Sequence, residues 1–114
     1  MTDREMEFAA KAAGYVIESI NGDGSAWVYE RGAALNADGE PPLFKWHPRG
    51  DDGDALRLAV RLGIQIGDFH QYDRALAFMG ATRGSREFWE TGDDPCAATR
   101  RAIVRAAADI GEQQ

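Results

Sequence analysis

The 114-residue chain has a single cysteine, Cys96, and only two histidines, His47 and His70. One cysteine excludes an intrachain disulfide, and neither histidine has a second histidine or cysteine at the short spacing zinc sites use. Long apolar runs are missing as well: nothing approaches the roughly 18 consecutive apolar residues of a membrane span. The opening "MTDREMEFAAKAAG" lacks the basic start and apolar centre of a secretory signal, so a cytoplasmic protein without a membrane partner is expected. The glycines of "GDDGD" and "MGATRGS" lack the strand–loop–helix setting, lysine or third glycine of phosphate loops, and no nucleophile elbow occurs. No cofactor is expected.

Positive charge is also short. The 13 basic residues face 19 acidic ones, a net charge of −6. The deficit lies wholly in residues 1–54, with 5 basic and 11 acidic side chains, because residues 55–114 hold 8 of each. An acidic first half repels a phosphate backbone and suits a basic protein surface. A hydrophobic fraction of 44% and a charged fraction of 28% are those of an ordinary globular chain, and the length fits a single domain over residues 1–114.

What is present reads as alternating helices and strands. Apolar residues at Met6, Phe8, Ala9, Ala12 and Ala13 predict an amphipathic helix from Asp3 to Ala13, ended by Gly14. "YVIESI" and "AWVYE" read as strands, and "NGDGS" between them supplies the residues of a tight hairpin turn. "RGAALNADGEPP" (31–42) reads as a surface loop, and "LFKW" as a short third strand. "IQIGDFHQY", "RALAFMGA" and "REFWET" are further strand candidates. The expected fold is α+β, with three helices packed on a mainly antiparallel sheet of about four to six strands.

Two stretches, "DDGDALRLAVRLG" from Asp51 and "DDPCAATRRAIVRAA" from Asp93, share a grammar of paired aspartates before an arginine- and aliphatic-rich helix. An internal repeat is the less economical reading. Aspartate at the N-cap accepts hydrogen bonds from the open first-turn amides and opposes the helix dipole, and Pro95 suits the first helical position. Asp54 reads as a short version of a capping-box acid. A calcium loop would need alternating acids and a closing glutamate about twelve residues on, where this chain has Leu62, so the aspartates read as a cap. On the last helix Cys96, Thr99, Ile103, Ala106, Ala107 and Ile110 form a narrow apolar stripe, which makes Cys96 a buried small residue.

Six aromatics, Trp27, Tyr29, Phe44, Trp46, Phe88 and Trp89, fall on expected strands. Trp27 and Tyr29 share one face, while Phe88 and Trp89 take opposite faces. An exposed tryptophan would anchor a partner.

Trp46, Pro48 and "DDGDALRLAV", together with "DDPCAATRRAIVRAAADIG" (93–111), resemble the phage ABA sandwich domain, a family of small bacteriophage and prophage proteins. The resemblance implies helices on both sides of a sheet and a phage setting, and it brings no catalytic activity. The chain departs from the family pattern at His47 and Cys96, which speaks against catalytic roles for both.

The leading expectation is therefore a non-enzymatic phage or prophage accessory protein that binds a host or phage protein. Trp46, Trp89, Asp38, Glu40, Asp51 and Asp52 are the candidate contact residues. The alternative is a nucleic-acid-binding protein using Arg100, Arg101 and Arg105 beside strand aromatics, and a third is an acid–base enzyme using His70 with Asp68 or Asp73.

Overall fold

The computed structural model describes residues 3–69, 74–79, 87–91 and 94–114. Its elements run α1 (Asp3–Ala13), β1 (Tyr15–Ile20), β2 (Ala26–Glu30), β3 (Phe44–Trp46), α2 (Asp52–Leu62), β4 (Ile64–Phe69), β5 (Arg74–Met79), β6 (Glu87–Thr91) and α3 (Pro95–Glu112). The class is α+β, as expected. No described helix is long and apolar enough to cross a membrane.

The helix boundaries follow from their end residues. Asp51 caps α2 by accepting from the Asp54 N–H at 2.8 Å. Asp94 caps α3 by accepting from the Cys96 and Ala97 amides at 3.0 and 3.3 Å, with Pro95 in the first turn. Gly14 and Gly63 take φ of 83° and 69°, the left-handed conformation that ends α1 and α2. Asp54 differs from a capping-box acid. Its carboxylate accepts from the His47 N–H at 2.9 Å, because the Asp51 N–H is already donated to the His47 carbonyl at 2.8 Å. The segment between β3 and α2 is thereby tied to the first turn of the helix.

The six described strands divide into two antiparallel three-stranded sheets, ordered β1-β2-β3 and β4-β5-β6. The strand pattern of the sequence predicts one sheet, and the described strands form two. The division arises at α2, whose 11 residues, about 16 Å long, carry the chain from β3 to the start of β4. The β1–β2 turn is fixed by Asp23, whose carboxylate accepts from the Ser25 amide at 2.9 Å and the Ser25 hydroxyl at 2.5 Å. Those two donors hold the Asp23 carboxyl below the usual carboxylate range.

The core is a seam of small residues. Met6, Ala9, Ala10 and Ala13 of α1 are buried with Ala102, Ile103, Val104, Ala106 and Ala107 of α3. β1 lies on α1, and β4, β5 and β6 lie on α3. α3 is thus covered on most of its circumference, far beyond the narrow stripe read from the sequence. Cys96, at one end of that stripe, is exposed instead of buried, because the helix enters its packed environment only from Ala98 onward. At the other end Gly111 meets α1 so closely that an added Cβ would sit 1.8 Å from the Phe8 carbonyl oxygen.

Two tests follow from this packing. Gly111→Ala should lower the unfolding free energy by about 2 kcal/mol or more, since overfilling a rigid contact costs about 1–3 kcal/mol. Helix propensity alone favours alanine by about 1 kcal/mol, so a raised denaturation midpoint would show that the two backbones do not touch there. Burial raises the Glu5 pKa above its ordinary value, against the opposing pull of Arg49 and Arg105. The stability this group contributes is full below the unfolded carboxyl pKa and is lost as pH rises through the folded one. Glu5→Gln should accordingly gain on the wild type as pH increases from 4 to 7, measured as denaturation midpoints across that range.

Candidate functional site

α2 carries more apolar residues than one buried stripe can use. Ala55, Leu58 and Ala59 turn inward. Leu56 and Val60, four residues apart and therefore on one side of the helix, remain 57% and 74% exposed. Ile66 of β4 is 40% exposed. Between α2 and the first turns of α3, Leu56 and Ile66 border an open groove of about 300 Å³. Its walls are Ala55 and Leu56 on one side and Pro95, Cys96 and Thr99 on the other, with Ile66 and Ile103 also lining it.

Charge is unevenly placed around this groove. Asp52 and Arg100 are its charged lining residues, and Asp51 and Asp94 cap the two helices that wall it. Arg100 turns inward: its Nε donates to the Arg49 carbonyl at 2.7 Å and its terminal nitrogen pairs with Asp52 at 2.5 Å. The Arg100 side chain is 16% exposed and the Asp52 side chain 70% exposed, so the carboxylate is the charge that meets solvent.

The expected contact residues are dispersed. Trp46 is 3% exposed in the core, with Tyr15 edge-on at 5.5 Å, and has no surface to offer a partner. Its partner across the ladder is buried Ala26, which puts it on the inner face of the first sheet. The Trp89 backbone pairs with Leu76, and its side chain lies outside the described residues. Asp38 and Glu40 are exposed in the loop expected at 31–42, which folds around Asn36: its side-chain oxygen accepts from the amides of both acids at 2.9 and 3.1 Å. Of these residues Asp52 alone lines the groove, and Asp51 is the N-cap of α2 just before it. Trp27, at 40% exposure, is the tryptophan that the described surface presents.

Arg100, Arg101 and Arg105 are all engaged within the chain. Arg101 pairs with Glu90 at 3.2 Å and donates to the Thr91 carbonyl at 2.8 Å, and Arg105 pairs with the other Glu90 oxygen. A phosphate would have to displace these partners. His70 and Asp73 lie outside the described residues, as does the Asp68 side chain, so the acid–base pair falls there too. Among the described residues no three His, Cys, Asp or Glu side chains form a metal-holding group. His47 is half-buried, packed close to Gly24 and Gly50.

Sequence reading overlooked Leu56, Val60 and Ile66. The signal for the first two was available: Ala55, Leu58, Ala59 and Leu62 already satisfy the three- and four-residue spacing of a buried stripe, and Leu56 and Val60 fall beside it. In comparisons with protein-family models, curated proteins and solved structures, nothing matches the chain.

The groove's polar end yields a stability test. Arg100→Ala should cost about 1.5–3 kcal/mol, because it removes charge-assisted hydrogen bonds made by a mostly buried guanidinium. Asp52→Ala should cost no more than about 1 kcal/mol, the range of exposed ion pairs. Equal costs in chemical denaturation would mean that the bond to the Arg49 carbonyl contributes nothing.

Proposed function

We propose that this protein works by binding another protein through the groove between α2 and α3. The observation that carries the reading is the pair Leu56 and Ile66, exposed together at an apolar depression, with Val60 exposed one turn further along α2. Isolated exposed apolar residues are ordinary, but a contiguous group beside a concave surface leaves apolar area in water that a partner would cover. The groove's volume is at the lower end of the range of small-molecule sites, and its size also suits the pocket that receives one or two anchor side chains at the centre of a protein interface.

A phage or prophage accessory role is the setting we propose for this binding. It is supported by the resemblance of Trp46, Pro48 and residues 51–60 and 93–111 to the phage ABA sandwich domain. In the structure those residues build the end of β3, the cap and most of α2, and most of α3. Two of the groove's walls therefore come from the resembling stretches.

The experiment is affinity capture from a phage-infected bacterial lysate, comparing the wild type with Leu56→Asp and with Glu18→Lys, which alters exposed charge on β1. Both variants change exposed side chains, so both should melt near the wild-type temperature. A stoichiometric partner retained by Glu18→Lys and lost with Leu56→Asp is the expected result. Retention by Leu56→Asp would place the interface elsewhere.

A further inference from the structure

The turn between β1 and β2 carries chemistry that is independent of the groove. We propose that Asn21 is a site of spontaneous modification, deamidating through its bond to Gly22 to aspartate or isoaspartate, and that this conversion unties the first hairpin.

The nucleophile is a backbone nitrogen. Gly22 N is bonded to the main-chain carbonyl carbon of Asn21, so rotation within Asn21 alone brings it to the side-chain Cγ. The other amides of this turn are engaged. Asn21 N–H donates to the Ser25 carbonyl at 2.7 Å, Gly24 N–H to the Asn21 carbonyl at 3.1 Å, and Ser25 N–H to Asp23 at 2.9 Å. Among the described residues the Gly22 N–H has no acceptor. Gly22 is exposed, and a Cβ added there would meet nothing within 4 Å beyond its chain neighbours, so solvent reaches the amide. Asn36, the chain's other asparagine, is followed by Ala37, and the amides of Asp38 and Glu40 hold its side-chain oxygen.

The steps balance with water alone. Solvent base takes the Gly22 amide proton, and the nitrogen's electron pair forms a bond to Asn21 Cγ. The Cγ–Nδ2 bond breaks, and Nδ2 leaves as ammonia with a proton from water. Water then opens the cyclic imide. Opening at Cγ restores the main chain with aspartate, whereas opening at the main-chain carbonyl routes the chain through the side chain as isoaspartate.

Either product disturbs what holds the turn. Asn21 Nδ2 donates to Ser25 Oγ at 2.9 Å, and that hydroxyl gives its own proton to Asp23 at 2.5 Å. A carboxylate at residue 21 removes the donor and brings a second negative charge to a hydroxyl whose proton is already committed. Ser25 is fully buried, so its oxygen has no water to turn to. Isoaspartate also adds a backbone carbon beside the Ile20–Ala26 pair that closes the ladder. Loop length sets hairpin register, and Ala26 and Val28 depend on that register for their burial in the core.

The test ages the whole chain in warm, mildly alkaline buffer, with a sample unfolded in urea beside it, and maps the modification by peptide mass. The folded protein should gain the mass of amide-to-acid exchange at Asn21 and release ammonia. Gly22→Ala should slow this at least about tenfold, because the methyl group hinders the attacking nitrogen. Alanine fits the folded turn, since Gly22 lies outside the left-handed region that Gly24 occupies at φ 92°. The aged fraction, separated by its added negative charge, should melt below the fresh protein, and Asn21→Asp should do the same. The site is overturned if the folded chain stays unmodified while the unfolded chain converts, which would mean that the turn shields Asn21. It is also overturned if Gly22→Ala converts as fast as the wild type, or if Asn36 converts as fast as Asn21. An aged fraction that melts with the fresh protein would overturn the effect on the hairpin.

Discussion

The contact between the backbones of α1 and α3 at Phe8 and Gly111 sets the spacing on which the other elements depend. Glycine at that point and alanine along the rest of the seam let the two helices approach until side-chain volume no longer separates them. Close helices bury much surface with small side chains, and alanine loses no rotamer freedom in doing so. With α1 on one flank, α3 offers its remaining sides to α2 and to the second sheet. α2 therefore meets the core along Ala55, Leu58, Ala59 and Leu62, and Leu56 and Val60 are left beyond the edge of that contact. The groove follows from how α3 shares its surface.

Around this apolar seam the arginines act as struts. Arg100 joins α3 to the segment before α2, while Arg101 and Arg105 join α3 to β6 through one carboxylate, Glu90. The planar guanidinium suits these roles, since its several donors reach a carbonyl and a carboxylate at once. Phosphate binding would trade these internal bonds for new ones, which reduces its net gain. An arginine-rich helix in an acidic protein is thus explained by the demands of holding elements together, without invoking a nucleic acid.

Much of this architecture was legible in the sequence because it is fixed locally. Asp51, Asp94, Pro95, Gly14 and the Asn21–Ser25 turn each act within a few residues, so α1, α2, α3 and the first hairpin could be bounded from spacing alone. The split into two sheets was not legible, because strand partners are chosen over long separations and depend on where α2 carries the chain. Burial failed for a related reason. Cys96 matches the period of its helix, but period says nothing about how far along the helix the packing begins. Trp46 was legible as a strand residue, yet which face it takes depends on the register with Ala26 across β2. For the groove, the surplus of apolar residues on α2 was readable, whereas its union with Ile66 and Pro95 required the fold.

The aspartates at residues 51, 52 and 94 show how one residue type serves folding and surface chemistry in the same place. Asp51 and Asp94 close the amides of their helices, a role worth roughly 1 kcal/mol apiece, and asparagine fills it nearly as well because the bond needs only a side-chain oxygen. Their negative charge is therefore separable from their capping role. Asp52 is different: it caps nothing, and its ion pair with Arg100 leaves the carboxylate largely in solvent. A helix start requires one acceptor, and α2 has a second acid immediately after it, on the wall of the apolar groove. Helix formation accounts for Asp51 fully. Asp52 stands in the first turn, where its charge opposes the helix dipole, and by pairing with Arg100 it ties α2 to α3 on the wall of the apolar groove.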